Sequence, residues 1–168
     1  MSSKTRVSVD SQVNFSQFLP FSGVQGAANA FIQVTIPTNV TPEGGYILEL
    51  EEVVVSLDGI SAVNTFAPTI DYTLTRASKA AIPVLTDLDI IAKGKVASLG
   101  AGALAAGSTG LFESPINLQF TGRQIIASTS VYFQFTSASF VTAMSFSGRI
   151  YYKQVPMAKD RILEVLYG

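Results

Sequence analysis

Histidine and cysteine are both absent, so the groups that could do chemistry in this chain are carboxylates, hydroxyls and lysines. Ser–His and Cys–His nucleophile pairs are therefore excluded, as are disulfides and thiolate or imidazole metal sites. Two spaced carboxylate pairs remain, Glu49/Glu51 and Asp87/Asp89. On a strand, i,i+2 spacing puts both members on one face, where two acids could hold Ca²⁺ or act as acid and base on a sugar. A solvated strand face carries the same pattern, and that plainer assignment is adopted for both pairs and for the adjoining Glu52. No catalytic, cofactor-binding or metal-binding residue is assigned.

Two glycine patterns can be tested against phosphate chemistry. Gly100-Ala-Gly102-Ala-Leu-Ala105 formally fits G-x-G-x-x-G/A. A dinucleotide site also needs an acid about 20 residues further on for the ribose, and no Asp or Glu occurs between Glu113 and Asp160. Gly94-Lys95 is followed by valine and has no glycine five positions before it, so it is no phosphate loop. The 100–110 run reads as a flexible Gly/Ala loop.

Positioning elements come next, and composition bounds them. At 168 residues the chain fits one domain. Charged residues make up only 14%, against about 25% in ordinary soluble domains. With a net charge of −1, and Lys4 and Arg6 the only cations before Arg76, no basic surface for nucleic acid is expected. The opening Met1-Ser-Ser-Lys-Thr-Arg6 has no apolar signal stretch, so secretion by that route is not expected. Without it, the sequons at Asn14 and Asn39 are chance matches. The most apolar window, residues 96–112, is interrupted by four glycines and falls short of the ~20 residues of a membrane-spanning helix.

Residues 1–28 show no period of 2 or 3.6 and read as an N-terminal arm. Residues 29–155 read as a β-sandwich. Within it, Ala30–Ile36 alternates cleanly, Tyr46–Leu57 alternates with a phase change at Glu52–Val53 that implies a bulge, and Ile70–Thr75 follows the Asp58-Gly59 turn. Leu88–Ile91 and Val96–Leu99 are expected to form a hairpin around Lys93-Gly94-Lys95. Further strands are expected at Ile116–Phe120, Ile125–Ser128, Val131–Thr136 and Ala143–Tyr152. About eight strands at short spacing make an all-β antiparallel sandwich. Residues 156–168 read as a short C-terminal helix, with Ile162, Val165 and Leu166 on one stripe after Pro156.

Charge is missing in two long stretches, between Asp10 and Glu43 and between Arg123 and Arg149. In the second, Val131, Phe133 and Phe135 alternate with Tyr132, Gln134 and Thr136, giving one apolar face and one polar but uncharged face. A face that avoids Lys and Glu fits coverage by another chain, since a buried unpaired ion costs several kcal/mol and a hydroxyl is easily satisfied. Phe15, Phe18 and Phe21 are too apolar for a free tail, and the helix is too short to persist alone in water. These residues, with Tyr132, Gln134, Thr136, Ile162, Val165 and Leu166, form the expected assembly interface. The arm is expected to dock on a neighbour, and the helix on a neighbour in preference to its own sandwich.

The Ser/Gln-rich arm, the uncharged strand pair and the closing run Ser147-Gly148-Arg149-Ile150-Tyr151-Tyr152-Lys153 before a terminal helix are together similar to one family. The chain resembles the single jelly-roll major capsid proteins of icosahedral, tailless, membrane-containing bacterial and archaeal viruses, over its whole length but without a diagnostic motif. That resemblance implies an eight-stranded jelly roll, no catalytic residues, and a virion protein made in the host cytoplasm. Its implied partners are other copies of itself, with or without a second coat protein, beside an internal viral membrane that it does not span. Lacking a basic arm, the chain departs from small RNA-virus coats, so direct contact with the genome is not expected. The alternatives are a carbohydrate-binding or adhesive β-sandwich, which needs exposed aromatics on one sheet face, and an enzyme using the carboxylate pairs.

Overall fold

The computed structural model describes residues 17–58, 68–97, 116–140 and 142–167. Along the chain these form β1 (Gln17–Val24), β2 (Ile32–Pro37), a 3-10 turn (Pro42–Gly44), β3 (Tyr46–Asp58), β4 (Thr69–Thr75), β5 (Ile90–Ala97), β6 (Ile116–Ile126), β7 (Ser130–Ala138), β8 (Ser145–Pro156) and α1 (Lys159–Tyr167). The protein is mostly β. One sheet has the order β1-β8-β3-β6 and the other β2-β7-β4-β5, with every pairing antiparallel.

Strand β1 lies inside the segment read as an arm, and that reading is corrected for residues 17–24. Leu19 and Phe21 turn into the core while Phe18, Pro20 and Ser22 face outward, and all eight residues pair with β8. Pro20 and Gly23 disguise the period, yet a proline is tolerated here because β1 lies at the sheet edge. Phe15 lies outside the described residues.

The expected hairpin around Gly94 is also absent, because β5 runs straight through it. Gly94 sits opposite Tyr72 on β4, and a Cβ at this position would fall 2.1 Å from the Tyr72 hydroxyl. The glycine makes room for a ring and does not make a turn. Likewise the two strands expected over residues 116–128 are one strand, β6. The bulge expected in β3 is present, between Leu50 and Glu52, where the register shifts against both β6 and β8.

Between the sheets lies a core of alternating inward residues from both. Its centre is aromatic: the Phe21 and Phe133 rings are 4.8 Å apart, Phe133 and Phe146 5.2 Å, and Phe135 and Phe146 5.0 Å. Gly148 keeps this centre open, since a Cβ there would lie 2.3 Å from Phe21 Cζ. A second apolar cluster joins Ile47, Ala127 and the wholly buried Ile162, flanked by Ile125, Val155 and Met157. Helix α1 thus docks on its own chain through Ile162, which corrects the expectation of a neighbour. Met157 N donates to Gly45 O and Lys159 pairs with Glu43, tying the helix approach to the 3-10 turn. The side chains of Val165 and Leu166 lie outside the described part.

Residues 76–89, between β4 and β5, form a strap over the outward face of the second sheet. Gln33 Nε2 donates to Ser78 Oγ, and Lys79 N donates back to Gln33 Oε1. Arg76 N donates to Asp89 O and closes the strap's base. Beneath it, Thr73, Thr75 and Gln134 are wholly buried although their side chains point away from the core.

Candidate functional site

The strap changes the meaning of the uncharged face. Gln134 Nε2 donates to Thr75 Oγ1 at 2.7 Å and to Gln33 Oε1 at 3.1 Å. The outward face of β7 is therefore covered at Gln134 by the chain itself, and Gln134 is withdrawn from the expected interface. Half-buried Tyr132 and Thr136 flank it, the latter donating to Asn29 O at 3.4 Å. A face buried under backbone and amides avoids charge, and here the covering segment belongs to the same chain.

Of the two carboxylate pairs, Glu49/Glu51 lies on a strand, β3, as expected, and Asp87/Asp89 does not. Asp87 and Asp89 lie in the strap, outside any strand, and Lys79 Nζ reaches both, at 2.8 and 2.6 Å. Asp89 N donates to Asp87 Oδ1 and fixes the turn. Hydrogen bonding from Lys79 holds the Asp87 carboxyl below its ordinary value of 3.8, and the bonds to Asp87 and Asp89 raise Lys79 above its ordinary 10.5. Between the two inner strands of the first sheet, Glu51 on β3 is paired with Lys153 on β8, whose affinity for its proton that carboxylate raises. Among the described residues no three acidic, histidine or cysteine side chains come close enough to hold a metal ion. The Gly100–Ala105 run lies outside the described residues.

What the structure does bring together is an open groove on the outward face of the first sheet. Antiparallel register builds it in three rows across β1, β8 and β3: Phe18–Tyr151–Glu52, Pro20–Arg149–Val54, and Ser22–Ser147–Ser56. The two lower rows and Tyr151 line the groove. Phe18 is 46% exposed; its ring lies 6.0 Å from that of Tyr151, and the Arg149 guanidinium stands 4.9 Å over its centroid. Such a contact contributes roughly 0.5–1 kcal/mol at an exposed site and holds the arginine flat against the sheet. Of the arm aromatics among the described residues, Phe18 stands on a surface and Phe21, three positions further on, is core.

Chemically this surface can pack an apolar partner and offer a guanidinium fork to a carboxylate. Sequence reasoning missed Arg149, Pro20 and Val54 as its members, because they come from three segments that only register aligns. It also missed three exposed apolar side chains on the strap, Val84, Leu85 and Leu88. The signal for those was a Pro-Val-Leu…Leu run inside a segment with no strand period. No helix among the described residues is long and apolar enough to cross a membrane. No protein-family model matches the sequence, and no curated protein does.

Proposed function

We propose that this chain is a structural coat protein of jelly-roll type that assembles with copies of itself, with or without a second coat protein, into an icosahedral shell. The strand order carries the reading. In a jelly roll, the chain's first strand neighbours its last and the two sheets are filled alternately by hairpin-like excursions, and the orders β1-β8-β3-β6 and β2-β7-β4-β5 fit that winding. Support for assembly comes from apolar side chains left on both outward faces, Phe18 on one and Val84, Leu85 and Leu88 on the other. Scattered single apolar residues are ordinary, but clusters on a protein surface mark contacts. Light scattering during chromatography, followed by electron microscopy of concentrated protein, tests the reading. Rings or shells are expected, and a strict monomer at high concentration would overturn self-assembly.

A second reading is favoured by one observation: Phe18, Tyr151 and Arg149 stand together on one sheet face, the platform a carbohydrate-binding sandwich requires. Calorimetric titration with a panel of oligosaccharides separates the two. Binding that disappears in Phe18→Ala, by a protein that stays monomeric, would select the adhesive module over the coat.

A further inference from the structure

Beneath the strap, the outward face of the second sheet carries one polar row across all four strands. Gln33 on β2, Gln134 on β7, Thr73 on β4 and Lys93 on β5 each stand directly opposite the next. The strap holds this row at both ends, through Gln33 with Ser78 and Lys79, and through Lys93 Nζ, which donates to Pro83 O. Between those ends Gln134 and Thr73 are wholly buried. Yet Gln134 Oε1 and Thr73 Oγ1 have no hydrogen-bond partner among the described residues.

Turning the Gln134 amide over does not remedy this. Thr75 Oγ1 donates its single proton to Ala77 O at 2.7 Å, so toward Gln134 it only accepts. Gln33 Oε1 is an acceptor as well, held in that orientation by the proton it takes from Lys79 N at 2.7 Å. Both therefore require the Gln134 amide nitrogen, which bonds to each of them and leaves Oε1 as the free end. Burying hydrogen-bonding atoms without partners is costly, and folded proteins meet that cost with ordered water. Side chains directly opposite on neighbouring strands have Cβ atoms about 4.5–5.5 Å apart, so one small molecule can reach both atoms. Its chemistry is constrained too. An amide oxygen only accepts, which excludes an anion, and the Lys93 ammonium next in the row repels a metal cation. A small neutral molecule that both donates and accepts is water.

We infer that a single buried water bridges Thr73 Oγ1 and Gln134 Oε1, and that the strap is its lid. The water accepts the Thr73 proton and donates to Gln134. The sheet closes one side of the site and the strap the other, so exchange with solvent requires the strap to lift. Lys79 opposes that lifting, because its ammonium holds Asp87 and Asp89 at the strap's far end. The site lies within one chain and stands whether or not copies assemble. High-resolution crystallography of the parent should show density within hydrogen-bond distance of both atoms, and Thr73→Val should lose it. A direct bond between the two side chains, or a metal ion between them, overturns the inference. Melting is an independent measure, since Thr73→Val exchanges a hydroxyl for a methyl of similar shape. Loss of a bridging hydroxyl is expected to lower the melting temperature by roughly 2–5 °C. Removing a hydroxyl that had no partner is neutral or stabilising, so a melting temperature that holds or rises would overturn the bridge. The lid is tested by magnetic relaxation dispersion of the solvent, which reads the residence time of buried water. Lys79→Met is expected to shorten that time several-fold, and an unchanged residence time would mean that the water leaves by a route the strap does not control.

Discussion

Lys79 shows how one residue can set the behaviour of a whole loop, because both strap carboxylates converge on its ammonium. Asp87 is held below its ordinary value, so its contribution is present above about pH 4 and is lost as pH falls through its lowered folded value. Lys79 is raised, so its contribution is present below about pH 10 and is lost as pH rises through its folded value. Lys79→Met is therefore expected to melt lower than the parent between about pH 5 and 9, with the gap closing in strong acid and in strong alkali. Melting curves across that range check it, and a gap that stayed constant in acid would mean the clamp contributes through packing of the lysine stem. None of this was legible from i,i+2 spacing, which suggested a strand face for Asp87 and Asp89. The cation that governs them is contributed from eight and ten positions earlier.

At the scale of elements, Ile162 decides how α1 is anchored. Wholly buried against Ile47 and Ala127, it should cost about 2–5 kcal/mol when cut to alanine, through lost burial and the cavity left behind. For a chain of this length that is a fall in melting temperature of roughly 5–15 °C, measurable by calorimetry. An unchanged melting temperature would put the helix on a neighbour, as the sequence alone suggested. The helix itself was readable from Pro156 and the Ile162 stripe, but its docking partner was not, because a stripe says which side is apolar and never what covers it. Similarly, alternation found β4 and β7 nearly to the residue, where one face is aromatic core and the other polar. It failed where glycine and proline serve packing: Gly94 beneath Tyr72 looked like a turn, and Pro20 on an edge strand looked like an arm. The groove was illegible for a further reason, since its rows depend on a register between strands more than 120 residues apart in sequence.

At the scale of the whole molecule, β1 turns the question of the N-terminus into one of folding. Removing residues 1–24 takes away an entire paired strand together with Leu19 and Phe21. Each of those side chains contributes roughly 1.5–3 kcal/mol by burial, so their joint loss is a large share of the ~5–15 kcal/mol that holds a domain folded. This truncation is expected to yield unfolded or aggregated protein, whereas one that stops at Ser16 should keep a cooperative melting transition. Circular dichroism on the pair distinguishes the two, and a 25–168 chain melting like the parent would show that β1 is dispensable. The same strand has a consequence in time. Phe18 meets Tyr151 and Pro20 meets Arg149 only when the last strand has been made, so during synthesis the groove does not yet exist. Long-range β pairing of this kind is slow. The order of synthesis is therefore the clock for this face, which is complete only once β8 has paired with β1 and β3.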